Sequence, residues 1–212
     1  MQGFGSNVTK TRPKKRVWNK DRRVGQRRPF TPREVQVIRY ALEQEQNVRD
    51  LVLFNTAIDT MLRSSDLLAL KVEDVTNHLG EVVEEVMLQQ QKTRIGIVVA
   101  LSERTRLALR RWIETSFKMA GDYLFTGERR HRPLSHSQYT RLVKKWATYA
   151  RLDPRHYSTH SLRRTKSSVV YEQTHNLAAC RELLGHKSIG STAAYLGVDQ
   201  RQALDIAKKI DL

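Results

Sequence analysis

The chain reads as a mainly helical α+β fold with one small antiparallel sheet. Helix punctuation and helical apolar spacing govern residues 31–70 and return from Ser102 onward, while two β-branched clusters flank a polar turn between them. Order is expected to begin at Thr31-Pro32-Arg33-Glu34. There Thr31 can cap, Pro32 suits the first helical position and Glu34 can bond back to the cap, so the first helix runs to about Gln46. The nearly continuous apolar run Leu51 to Ile58 predicts a buried helix leading into Arg63, and Ser65 to Leu70 restarts a short one.

Between Glu81 and Leu101, Val82-Val83 and Ile95-Gly96-Ile97-Val98-Val99 surround Gln91-Lys92-Thr93-Arg94, which predicts a hairpin with Lys92 at its turn. Leu107, Leu109, Trp112 and Ile113 then share a helix, and Ser135-x-x-Gln138 is a second capping box, opening a helix to about Ala150. Further helices are expected over His160 to Gln173, Asn176 to Leu184 and Ser191 to Leu196, with a last one over Gln200 to Ile210. That terminal helix carries Ala203, Leu204, Ile206, Ala207 and Ile210 on one semi-apolar face, which folds onto its own domain or docks on a neighbour.

Charge narrows the partner. The 212 residues hold 38 Lys and Arg against 22 Asp and Glu, a formal net charge of +16, so a polyanion is expected: nucleic acid first, an anionic membrane surface second. The sequence shows neither a signal peptide core nor an apolar run long enough to span a membrane, so a cytoplasmic, nucleoid-associated location is expected. One cysteine, Cys180, forbids an internal disulfide and any multi-cysteine zinc site. The cations crowd toward the start: Lys10, Arg12, Lys14, Lys15, Arg16, Lys20, Arg22, Arg23, Arg27 and Arg28 lie within residues 10–28, beside only Asp21. With almost nothing apolar to bury, 1–28 is expected to be a disordered arm, either a solubility extension or a phosphate-tracking segment. The domain proper is expected over 29–198, with 199–212 as the terminal helix.

Chemistry concentrates in the second half. In HSLRR, His160 and Arg163 are three residues apart and share a helix face, and His186 follows a helix ending at Gly185. With Arg63 in DTMLRSSDLLAL and Tyr195 nine residues past His186, these groups can close around one phosphate. Transfer of a phosphoryl group to a protein oxygen needs a nucleophile, cations on the non-bridging oxygens and a proton for the departing oxygen. Tyr195 can supply the first; Arg63 and Arg163, whose forked guanidiniums bond two phosphate oxygens and stay charged, supply the second. Arg63 lies between apolar runs, and a charge in such a place needs a partner.

The order Arg, His-x-x-Arg, Leu-Gly-His and Tyr resembles the tyrosine recombinase (phage integrase) family over roughly residues 29 to 197. The resemblance implies a catalytic domain that cuts and rejoins double-stranded DNA through a 3′-phosphotyrosyl link. Tyr195 would be the nucleophile, Arg63 and Arg163 the clamp, His160 a proton acceptor or phosphate donor, His186 a second donor and Lys92 the general acid. Asp66 matches the family's acidic position, orienting the clamp or capping its own helix. Arg94 and Arg164 join the arm as expected DNA contacts. No cofactor and no metal are implied. His156 and His160 have metal-pair spacing but no third ligand, and His78, His131, His136, His156 and His175 read as ordinary histidines. Oligomers on DNA are expected, and the terminal helix is a candidate for exchange between protomers.

Two departures stand out. Met61 occupies the place where glycine commonly precedes the first arginine. Most members also carry a helical DNA-binding domain upstream, so the arm or another protein is expected to form the opposing jaw. A DNA-binding accessory with the same fold, and a strand-relaxing enzyme resembling type IB topoisomerases, are the alternatives.

Overall fold

The computed structural model describes residues 26–127, 131–198 and 208. Within them the order is α1 (Pro32–Gln44), α2 (Val48–Thr60), α3 (Ser64–Leu68), α4 (Val72–Val75), β1 (Glu85–Gln89), β2 (Gly96–Ala100), α5 (Glu103–Ser116), α6 (His136–Tyr149), a 3-10 turn (Pro154–His156), α7 (Thr159–Thr174), α8 (Leu177–Leu184) and α9 (Ile189–Leu196). Both expected capping boxes form, Thr31 with Glu34 and Ser135 with Gln138. Each satisfies two amide groups that a helix start leaves without a partner.

Helix α2 is the spine. Every residue from Val52 to Thr60 is buried, because α1, α5 and α7 all pack around it. A fully buried Leu53 or Phe54 contributes about 1.5–3 kcal/mol through area removed from water. Phe54 also meets Trp146 edge-on at 5.4 Å between ring centres, and Phe30 stacks on Tyr157 at 4.5 Å. These contacts bind the segment before α1 to α2, α6 and the approach to α7. A buried polar knot adds direction: the Asp59 carboxylate accepts from Ser102 N (2.9 Å), Ser102 Oγ (2.6 Å), Thr105 Oγ1 (2.6 Å) and Lys166 Nζ (3.2 Å). Burial acts to raise its pKa, and those donors outweigh it, leaving the carboxyl below its usual range. Asp59 therefore ties α2 to α5 and α7 with a charge that is fully partnered.

The sheet has two antiparallel strands, with Glu85 opposite Ala100 and Gln89 opposite Gly96. It is shorter than expected. Val82 and Val83 lie outside it, bridging to Thr76 and donating to the Val75 carbonyl, because the single turn α4 folds the chain back on them. Helix α2 starts at Val48, ahead of its apolar run, where Asn47 caps it. Cys180 is fully buried in α8, its sulfur 3.9 Å from the Ser167 carbonyl. The expected helix over Gln200 to Ile210 and the arm through Arg23 lie outside the described residues, as does most of 199–212.

Candidate active site

Four places in the fold deliver the candidate side chains. Arg63 follows the end of α2 and stands at the N-cap of α3; the β1–β2 turn carries Lys92; α7 carries His160, Arg163 and Arg164; and the end of α8 with α9 brings His186 and Tyr195. The chain turns into Arg63 through Met61, which adopts a left-handed conformation (φ 50°) while buried. That is the conformation glycine accepts most readily, which is why glycine is the common residue here; Met61 adopts it all the same.

Arg163 is 4% exposed, and its Nη2 donates to the Leu184 carbonyl at 2.7 Å. Burial lowers its pKa to about 10, helped by the charge of Arg63 and opposed by Tyr195 and Asp66. The guanidinium still holds its proton at neutral pH. Its Nη1 is buried without a hydrogen-bond partner, and so is the Tyr195 hydroxyl. Burial pushes the Tyr195 phenol up to about 12, against the pull of Arg163, Arg164 and Arg63. Two buried polar groups close enough to feel each other, each lacking a bond of ordinary geometry, leave room for an acceptor that serves both.

His160 and His186 are both held toward the neutral form. His186 is lowered to about 4, first by burial and then by the charges of Arg163 and Arg63. Its Nδ1 sits 3.2 Å from Thr192 Oγ1, and its ring meets that of Tyr195 edge-on at 5.2 Å. His160 is also lowered, by desolvation and then by the charges of Arg163, His136, Arg63 and Lys92. His160 and Tyr195 line a cleft of about 440 Å³ with Gln26, Arg27, His136 and Arg164.

Lys92 is exposed at the hairpin turn, and Arg94 beside it is exposed with φ 58°. Asp66 caps no helix: its Oδ1 accepts from the Gln91 backbone N–H at 3.0 Å, fixing the start of the turn that carries Lys92. Arg164 is 8% exposed, with its guanidinium 5.5 Å from the centre of the Tyr195 ring and Nη1 donating to the Arg27 carbonyl at 3.1 Å. It stands as a cation over the Tyr195 ring. Arg27 in turn donates to the Arg155 carbonyl at 2.5 Å, and Arg28 is exposed. Lys10, Arg12, Lys14, Lys15, Arg16, Lys20, Arg22 and Arg23 lie outside the described residues.

Sequence reasoning passed over three side chains. Gln90 is buried among the arginines, Thr192 holds His186, and His136 Nδ1 lies 2.9 Å from Ser64 Oγ at the cleft wall. Gln90 and Thr192 carried no signal beyond their closeness in sequence to Lys92 and Tyr195. Among the described residues no group of three or more His, Cys, Asp or Glu could hold a metal ion, and no helix is long and apolar enough to cross a membrane.

A mainly helical domain with one two-stranded sheet, in which the charges of Arg63 and Arg163 act on His160, His186 and Tyr195, has the architecture of a tyrosine recombinase catalytic domain. The chain belongs to the phage integrase family, whose model matches residues 28–202. A probable integrase/recombinase, YoeC of Bacillus subtilis (strain 168), is 29% identical over 154 residues, covering 73% of this chain and 80% of that protein. Tyrosine recombinase XerC of Neisseria gonorrhoeae is 31% identical over 153 residues, 72% of this chain and 48% of that protein, so the chain spans about half of that relative. In structure it resembles XerH site-specific recombinase bound to difH substrate before cleavage (TM-score 0.68, 19% identity, 84% of this chain and 53% of that one). It also resembles the Tn1549 transposon integrase in complex with transposon right end DNA (TM-score 0.65, 17% identity, 89% and 67%).

Proposed function

We propose that this protein breaks and rejoins double-stranded DNA at specific sites, through a covalent link between Tyr195 and the 3′-phosphate. The observation that carries the reading is the pairing of two buried, unpartnered groups, Arg163 Nη1 and the Tyr195 hydroxyl, beside Arg63 and His186. A phosphodiester seated there gives Arg163 the acceptor it lacks and places its phosphorus before the phenolic oxygen. Arg63 and Arg163 hold the non-bridging oxygens, and their charges grow more valuable as the transition state gathers negative charge in a partly desolvated site. Tyr195 attacks, its proton passing to His160, whose neutral imidazole can accept it. The phosphorus–5′-oxygen bond breaks and Lys92 gives that oxygen a proton. Rejoining is the same path reversed with another 5′-hydroxyl, so bond energy is kept in the phosphotyrosine.

In the same proposal residues 1–28 track phosphates along the duplex, 199–212 engages a neighbouring protomer, and the protein works in the cytoplasm on the nucleoid. A nicked duplex that traps the covalent state decides the matter: wild type leaves a protein–DNA band in a denaturing gel, and Tyr195→Phe leaves none. DNA retention without any such band would favour the accessory role. Sequencing the trapped DNA would give the target.

A further inference from the structure

We propose that Gln90 is a positioning residue that locks both arginines of the clamp, and the hairpin carrying Lys92, into one rigid unit; this rests on the function proposed above. Gln90 is 1% exposed although it directly follows β1, within the polar run Gln89-Gln90-Gln91. Its Oε1 accepts from Arg63 Nη1 and, at 2.7 Å, from Thr93 Oγ1. Its Nε2 donates to the Leu184 carbonyl at 3.1 Å, the same oxygen that takes Arg163 Nη2 at 2.7 Å. Two donors around one end and a carbonyl at the other fix the amide's orientation without ambiguity. The chain of contacts is continuous: Arg63, Gln90, the Leu184 carbonyl, Arg163.

Two guanidiniums this close repel, as the effect of Arg63 on Arg163 shows. Something must hold them together before a phosphate arrives. A carboxylate would do so but would spend the positive charge the phosphate needs; a neutral amide orients Arg63 while leaving the charge available. The Leu184 carbonyl, at the C-terminal end of α8, offers Arg163 a partial negative charge on the same terms. Gly185 keeps the space open. It has φ 59°, and a Cβ there would stand 2.5 Å from Gln90 Nε2 and 2.7 Å from Ile97 Cγ2. The glycine of the Leu-Gly-His segment thus serves the helix end and the amide at once.

Gln90→Met keeps the volume and removes both hydrogen-bonding ends. On the nicked duplex at saturating protein, its single-turnover cleavage is expected to fall about 100-fold, the scale of an ångström of misplacement at a reacting group. DNA affinity in gel shifts should stay within about two-fold, because most phosphate contacts lie elsewhere. Gln90→Glu, which keeps an acceptor for Arg63 but sets a carboxylate against the Leu184 carbonyl, is expected to be at least as slow. Side-chain ¹⁵Nε relaxation of Arg63 in the free protein reads its immobilisation without any cleavage, and should show order in wild type that Gln90→Met loses and Gln90→Glu, which still accepts from Arg63, keeps. Unchanged cleavage in either folded variant, or unchanged Arg63 order in Gln90→Met, overturns the proposal. Were wild type to form no adduct, the function proposed above would fall, while the arginine relaxation would still decide the role of Gln90.

Discussion

At the scale of single residues, Met61 is a case where two effects oppose and magnitude decides. Its left-handed backbone costs about 1–2 kcal/mol relative to glycine. Yet its side chain is 3% exposed, and truncating a buried methionine costs about 2–5 kcal/mol. Met61→Gly should therefore destabilise the domain by about 1–3 kcal/mol, lowering Tm by about 5 °C in thermal unfolding. An unchanged or raised Tm would mean that backbone strain dominates. His186 makes a second prediction. Its folded pKa of about 4 lies below its ordinary 6.5, so the unfolded chain binds the proton more readily, and stability contributed by the neutral ring is lost as pH falls from 6.5 toward 4. A seated phosphate reverses the sign, since its charge favours the imidazolium. DNA binding should take up protons and tighten from pH 7.5 to 5.5, and His186→Gln should flatten that profile in fluorescence titrations.

Elements were legible where local signals and packing agreed. Thr31-Pro32-x-Glu34 and Ser135-x-x-Gln138 announced α1 and α6 because a capping box is chemistry within four residues. The single turn α4 was too short for periodicity to reveal, and it drew Val82 and Val83 out of the expected strand. Within the site, the positions of Arg63, Arg163, His186 and Tyr195 followed from motif spacing. Gln90 did not, since its burial depends on α8 packing against β2, a contact between segments about ninety residues apart. The hairpin also carries a prediction of its own. Asp66 and Gln90 anchor its base while Lys92 stays exposed, so the ammonium is free to enter a groove and protonate the departing oxygen. Lys92→Ala should slow cleavage by about 100–10,000-fold on ordinary DNA. Replacing the departing 5′-oxygen by sulfur, which leaves as a thiolate without a proton, should restore most of the rate. A defect of equal size on both substrates would assign Lys92 to something other than acid catalysis.

For the whole molecule, the excess of cations is the dominant feature, and eight of the 38 Lys and Arg lie in residues 1–23. If that arm follows the phosphate backbone, each contact it makes adds about 0.9 to the slope of log K against log salt. Removing residues 1–25 should reduce the slope by several units and weaken specific and non-specific duplexes alike, measured from 50 to 200 mM salt. A slope that does not move would identify the arm as a solubilising tail.

The burial of Cys180 has a practical corollary. The only thiol in the chain is sealed in α8 beneath α7, beyond the reach of maleimides while the domain stays folded. A second cysteine placed at the tip of the hairpin would then be the sole target for a fluorophore, with no native thiol to remove first. The approach of that tip to DNA could be followed by energy transfer in real time, and exposure of Cys180 to the same reagent would serve as an internal clock for unfolding.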